Sequence, residues 1–453
     1  MIVTHATYFA KIQSAFFGRC LLFGSAPKST NVISSSAFHT SHITQRTKMQ
    51  FAVPNTRRPS IFADIKPVNE ASIPEVPKGA INLSVETYRD ENGNPWSLPV
   101  VREVEKALAD DTQLSHAYCE DAMGDQLFVQ NATHLLLGSH YKATKDQVVA
   151  IQTVSATGAL RLGFEFIARV LDAKRVLIAM PSWSDYGCIV RSAGIETTTE
   201  YPYWDFENRK LAFDPMINAL SEAEPGSVVV LQCGHNPTGV DPDISQWRRI
   251  AELLKDRDLI PFFDVANVGL CSGSTQEDSY AIRLFIEMNL EFFVAQSFSK
   301  NFGLYSERVG NLIVMSQNGS KTREIKQYLQ EFSRGLWTSP PMHGARIVGR
   351  VLNVNYLRQK WYNQVNQMYL RIKKSRKDLR RLLEEKQTPG TWNHLTEAHG
   401  IFSLIGLTQP QLNYLAKKHN VYASDIGRIN VTVLTEQNIE QIVTAIDDAA
   451  RQN

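Results

Sequence analysis

Residues 291–310 read EFFVAQSFSKNFGLYSERVG. The apolar run Phe292, Phe293, Val294, Ala295 has the composition of a strand buried on both faces, so Lys300 follows just beyond a strand's carboxyl end, where open α/β sheets place their ligands. A lysine withdrawn from water is an amine nucleophile able to form a Schiff base. Ser297 and Ser299 add hydroxyls, and Arg308 adds a planar fork for an anion, so the segment carries parts for a carbonyl and for a phosphate. Taken alone, a loop lysine is usually just solvated. Its neighbours must come from the rest of the chain.

Strand-like runs recur at RVLIAM (175–180), SVVVLQ (227–232), LIPFFD (259–264) and NLIVM (311–315), with helical patterns between them. This alternation predicts an α/β fold with a mostly parallel sheet covered on both faces. VVAIQTVSATGALRLGFEFIARVL (148–171) gives a strand, the small residues Ser155, Ala156, Thr157 and Gly158, and then a helix with Leu160, Leu162, Phe164 and Ile167. Unpaired N–H groups and the helix dipole make such a helix start an anion site, although a plain tight turn has the same text. An amphipathic helix is predicted over 241–258, with Ile244, Trp247, Ile250 and Leu254 on its apolar stripe. Another, within 114–138, would turn Leu127, Phe128, Leu135 and Leu136 inward.

From Gly344 to about Lys386 the helical pattern is too long for one capped helix, so two helices or a bent one are expected. Its basic cluster, Arg371, Lys373, Lys374, Arg376, Lys377, Arg380 and Arg381, reads as a solvated face. The tail, with strand-like runs at 400–407 and 427–434 and helices near 409–418 and 436–450, reads as a smaller α+β unit.

The chain has 453 residues, 43% hydrophobic and 21% charged, enough for a large core and two domains. Five scattered cysteines form no CxxC pair and the 11 histidines no ligand spacing, so neither a disulfide framework nor a metal site is expected. Residues 1–63 hold seven Lys or Arg and no acid, leaving 41 basic against 46 acidic residues beyond them. That acid-free leader reads as a mitochondrial transit peptide over about 1–48, with Met49 as an alternative start for a cytoplasmic protein. An acidic body without a basic stripe argues against nucleic-acid binding, and no apolar run is long enough for a membrane span.

Three further strand-end groups complete a set: HNPTG (235–239), Asp264 in FFDVANVG, and Arg428 in GRIN. A lysine, a carboxylate, an amide, a phosphate cup and an isolated arginine are what pyridoxal phosphate needs. The chain resembles the aspartate aminotransferases, class I fold-type I pyridoxal-phosphate enzymes, from about Ser60 onward, most specifically in CGHNPTGVDP, QSFSKNFGLYSERVG, SPPMHGARIV and GRIN.

The resemblance implies a large domain with a mostly parallel seven-stranded sheet (96–365), a smaller α+β domain (366–453), an arm joining the small domain (60–95) and an N-terminal extension (1–59). It implies that Lys300 forms the Schiff base and moves the proton, that Asp264 pairs with the ring nitrogen, that Asn236 donates to the ring oxygen, and that Trp183 stacks on the ring. Ser155, Ala156, Thr157, Ser297 and Arg308, with Tyr118 of a second subunit, would hold the phosphate. Arg428 would take the substrate α-carboxylate and Arg334, across a homodimer interface, the distal one. The implied reaction moves an amino group between L-aspartate and 2-oxoglutarate.

Departures from the family pattern leave a second reading open. Asn267 stands where a tyrosine would bond the ring oxygen; its amide still donates. Ser84 and Glu86 stand at two lid glycines, and a carboxylate at 86 would repel a dianionic substrate unless turned outward. Ala156 replaces a glycine, Tyr186 replaces a histidine behind the ring, and the stretch between Ser60 and Asn82 is short. The alternative is a weakened or diverged pyridoxal-phosphate paralogue, of racemase, lyase or regulatory type.

Overall fold

The computed structural model describes residues 76–452. The expected N-terminal extension and leader, and the first part of the 60–95 arm, lie outside them. Seven strands form the central sheet: β1 Val148–Val154, β2 Arg175–Met180, β3 Thr197–Pro202, β4 Val228–Cys233, β5 Ile260–Val265, β6 Phe292–Ser297 and β7 Val309–Met315. They lie side by side as β1-β7-β6-β5-β4-β2-β3. Every residue of β4, β6 and β7 is buried. Both faces are covered by other elements, which is why the sequence shows continuous apolar runs rather than alternation.

β7 runs antiparallel to both β1 and β6, and the other neighbours are parallel. The carboxyl ends of β1 and β6 therefore meet the amino end of β7, with Val154 facing Val309 and Ser297 facing Gly310. Helix α1, Ser155–Val170, leaves β1 directly and buries Leu160, Leu162, Phe164 and Ile167. Phe164 packs 4.8 Å from the Phe262 ring of β5, and Phe262 lies 5.5 Å from Phe293 of β6. Truncating any of these rings would cost about 3–5 kcal/mol.

The pattern at 344–386 resolves as two helices, Met342–Asn353 and α2, Asn355–Glu385, separated by extended Val354. The domain boundary expected at 365/366 thus falls within one continuous helix. Beyond it, Phe402–Leu404 pairs antiparallel with Arg428–Asn430, and Ile81–Asn82 pairs parallel with Val421–Tyr422. The segment after Ala80 is therefore knitted to the tail.

Three local expectations need correction. Leu127 is 43% and Ile244 65% exposed; both stand in the first turn of their helices, before the buried stripe begins. In the basic cluster, Arg376 is buried and donates to the carbonyls of Leu395, His399, Gly400 and Phe402. Arg371 donates to those of Asp90, Thr432 and Leu434. Carbonyls of distant loops claim these two, so helical spacing alone could not separate them from their solvated neighbours.

Candidate active site

The meeting of three strand ends builds a cup for an anion. Ser155 opens α1, so Ala156 and Thr157 lie in its first turn, and the Thr157 N–H donates to Ser155 Oγ at 3.1 Å. Arg308 Nη2 donates to the same oxygen at 2.8 Å while Nη1 holds the Tyr305 carbonyl at 3.0 Å. Ser155 and Arg308 both have positive φ, 60° and 52°, which costs a side-chain-bearing residue about 1–3 kcal/mol each. The backbone N–H of Ser155 donates to the Arg308 carbonyl, which locks the two strained residues together. Gly310 permits this approach, since a Cβ there would lie 2.2 Å from the Ser155 carbonyl carbon. Ser297 ends β6 opposite Gly310, its Oγ accepting from the Ser299 N–H at 3.2 Å.

One strand over, Asp264 on β5 lies between Gln232 of β4 and Ala295 of β6. Burial pushes its carboxyl up, and a hydrogen bond from Tyr186 and the nearby Lys300 ammonium pull it back. Tyr186 Oη donates to Oδ2 at 2.5 Å, whereas buried Oδ1 has no partner among the described residues. An acceptor left unpaired in the interior costs about 1–3 kcal/mol and calls for a donor. Trp183 stands edge-on to Tyr186, with ring centres 5.3 Å apart.

Lys300 emerges three residues past β6, where it is partly buried. Burial pushes its ammonium below the ordinary lysine range and the Arg428 charge adds to this, while the Glu86 and Asp264 carboxylates oppose it. Its Nζ lies 5.0 Å from the Phe402 ring centre and Arg428 Cζ lies 4.4 Å from the same centre, so two cations share one aromatic ring. Arg428 Nη1 donates to Asn236 Oδ1 at 3.2 Å. Arg428 Nη2 reaches Glu86 Oε1 at 3.2 Å and the Ser84 carbonyl at 3.3 Å. Glu86 is therefore turned toward the arginine, not outward.

Lys300, Asp264, Asn236, Arg428 and Glu86 converge, beside the cup of Ser155, Ala156, Thr157, Ser297 and Arg308. Three expected residues stand apart. Tyr118 is 86% exposed and Arg334 is exposed near the end of the helix Thr322–Leu336. Asn267 is buried, but its amide nitrogen is spent on the Gly234 carbonyl at 2.8 Å and its Oδ1 has no partner among the described residues. The short amide turns back to its own neighbourhood.

Gln232, unmarked by any motif in the sequence, also lines the site: its Oε1 accepts the Asn236 N–H at 2.9 Å and its Nε2 reaches Ser182 Oγ at 3.3 Å, next to Trp183. One polar residue near the end of the otherwise apolar VVVLQC was the available signal. Phe402, within the strand-like run 400–407, carries no mark in the sequence of the place it takes beside Lys300 and Arg428.

A family model for aminotransferases of class I and II matches residues 78–446. The chain belongs to this aminotransferase family. An aspartate aminotransferase, cytoplasmic, from Caenorhabditis elegans is 40% identical over 84% of this chain and 94% of its own. The solved aspartate aminotransferase from Saccharomyces cerevisiae cytoplasm superposes with a TM-score of 0.81 at 32% identity, covering 87% of this chain and 99% of that one. An aromatic-amino-acid aminotransferase from Burkholderia pseudomallei, solved covalently bound to pyridoxal phosphate, gives a TM-score of 0.81 at 32% identity over 89% of this chain and 100% of that one. The fold is accordingly that of fold-type I aminotransferases, and the chain is a transferase acting on amino and oxo acids. No helix among the described residues is long and apolar enough to cross a membrane.

Proposed function

We propose that the protein catalyses reversible amino transfer between L-aspartate and 2-oxoglutarate, giving oxaloacetate and L-glutamate, with pyridoxal 5'-phosphate as cofactor. The observation that carries this reading is Lys300: a desolvated amine placed among Asp264, Arg428 and Phe402, one strand end from the anion cup. The donor set fits the cofactor. Asp264 Oδ1 is a buried acceptor awaiting a donor, which a protonated ring nitrogen supplies, and Ser155, Ala156, Thr157, Ser297 and Arg308 suit a phosphate.

When bound, the cofactor supplies an electron sink conjugated to the substrate nitrogen. Lys300 Nζ, whose charged form burial disfavours, would be the base that takes the proton from the substrate Cα and returns it on the far side of the substrate nitrogen. Asp264 would pair with the protonated ring nitrogen, and the hydrogen bond from Tyr186 favours its carboxylate form against the upward push of burial. Arg428 orients the α-carboxylate and Asn236 lines the space beside it. Trp183 would cover the ring face. Arg334 and Tyr118, exposed here, suit a homodimer in which each enters the other subunit's site, Arg334 for the distal carboxylate and Tyr118 for the phosphate.

The relatives' names support a cytoplasmic place of action. The leader that would direct mitochondrial import lies outside the described residues, and N-terminal sequencing of the native protein distinguishes the two. A second reading, a weakened paralogue, draws on the Glu86–Arg428 contact and on the committed amide of Asn267.

The test is a single turnover. Protein loaded with pyridoxal phosphate should show Schiff-base absorbance that aspartate discharges with release of oxaloacetate, and Lys300→Ala should lose the absorbance and slow the conversion by about 10²–10⁴-fold while still melting cooperatively. Discharge without oxaloacetate would favour the diverged paralogue. No discharge at all would remove the transaminase reading.

A further inference from the structure

Arg428 already has an anion. Its side chain is 8% exposed and pairs at 3.2 Å with Glu86 Oε1, whose own side chain is 51% exposed. The contact is built into the fold, not a stray surface pair. One amide, Asn430 Nδ2, donates to the carbonyls of both Val85 and Thr87 at 2.9 Å, pinning the backbone on either side of Glu86. Further hydrogen bonds hold the flanks: Leu83 N–H to the Tyr422 carbonyl at 2.7 Å and Tyr88 N–H to Tyr305 Oη at 2.8 Å. The backbone is fixed, and of the two ion-pair partners Glu86 is the one half exposed to water.

The energetics separate two kinds of substrate. A buried guanidinium that loses its anion pays a large desolvation penalty, so an arginine seat without a resident carboxylate rejects any substrate that brings none. With Glu86 present the guanidinium stays paired when the substrate carbon bearing the amine carries only hydrogen. A substrate with an α-carboxylate must instead displace Glu86 into water, a modest cost for a half-exposed pair.

Building on the transaminase reading above, we propose that this site also accepts ω-amino acids, primary amines with no carboxylate on the amine-bearing carbon and a single carboxylate at the far end. The net transfer is R–CH2–NH3+ plus a 2-oxo acid giving R–CHO plus the corresponding amino acid. One hydrogen leaves the amine-bearing carbon as a proton to Lys300 Nζ, the C–N bond breaks, and a water molecule supplies the new C=O oxygen, so that carbon is oxidised by two electrons to the aldehyde. The oxo-acid carbon gains the nitrogen and a proton, releases its carbonyl oxygen as water and is reduced by the same two electrons, so no outside oxidant is required.

The experiment compares wild type, Glu86→Gly and Glu86→Gln, each loaded with pyridoxal phosphate and checked by thermal melting. Single turnovers are run with aspartate and with β-alanine, 4-aminobutyrate and 5-aminovalerate. Wild type should discharge with aspartate and with at least one ω-amino acid, and both variants should lower the ω-amino acid to aspartate rate ratio by roughly tenfold or more. A second readout needs no turnover: succinate, an unreactive dicarboxylate, should bind Glu86→Gly roughly tenfold more tightly by calorimetry, because nothing has to be displaced. Discharge with aspartate alone, or an unchanged ratio in Glu86→Gly, overturns this proposal and leaves the transaminase reading standing. Failure with aspartate as well overturns both.

Discussion

Tyr186 Oη donates to Asp264 Oδ2 at 2.5 Å, and both groups are buried. The tyrosine lowers a carboxyl that burial would otherwise drive further up, so it keeps Asp264 able to hold a protonated ring nitrogen. Tyr186→Phe should weaken retention of pyridoxal phosphate by about 10–100-fold, the size of one hydrogen bond to a charged group, and Tyr186→His should recover part of it. Dialysis followed by absorbance reads the retention. Equal retention in the phenylalanine variant would mean that the carboxylate needs no tuning.

Arg376 gathers four backbone carbonyls of the segment that ends in Phe402, and burial pushes its guanidinium down to about 9. Arg376→Met leaves those carbonyls without a donor and should destabilise the protein by about 3 kcal/mol or more. Arg376→Lys, with one compact ammonium in place of a fork, should recover only part of that. Urea unfolding measures both, and a loss under about 1 kcal/mol in the methionine variant would show the segment holds itself.

His235, stacked on Tyr203 with ring centres 3.7 Å apart, is pushed by burial down to about 3. The unfolded histidine titrates near 6.5, so between these values the unfolded chain binds a proton that the folded chain refuses. Stability then falls as pH falls, by about 1.4 kcal/mol per unit. Asp241, which accepts the N–H groups of Gly234 and His235, is pushed by burial up to about 7 and acts in the opposite sense, because there the folded chain binds its proton first. His235→Phe removes the first contribution and leaves the second. On going from pH 7 to pH 5 the variant should lose about 2 kcal/mol less than wild type in urea unfolding; parallel losses would place the acid sensitivity elsewhere.

What could be read from the text alone tracks how far each residue's partners lie along the chain. The sheet was legible because β4, β6 and β7 are buried on both faces and write continuous apolar runs. The position of Lys300 followed from the strand that precedes it. The direction of Glu86 was not legible, since it depends on Arg428 across 342 residues and on the amide of Asn430. Asn267 posed the same difficulty in reverse: its residue type allows a donor to a cofactor, but Gly234 takes the amide. Arg371 and Arg376 share their spacing with solvated neighbours, and only the carbonyls they meet set them apart.

Helix α2 touches the site's surroundings twice. Trp361 Nε1 donates to the carbonyl of Asn301, the neighbour of Lys300, at 2.9 Å, and Arg376 holds the carbonyl of Phe402. Fifteen residues separate the two grips, a helical span of about 22 Å. The helix is thus a gauge block that sets the amine-bearing turn against the aromatic floor beneath it. A single residue inserted between Trp361 and Arg376 would rotate one grip by about 100° relative to the other. Length changes in surface loops leave this gauge untouched, whereas one added residue here would take the floor away from Lys300.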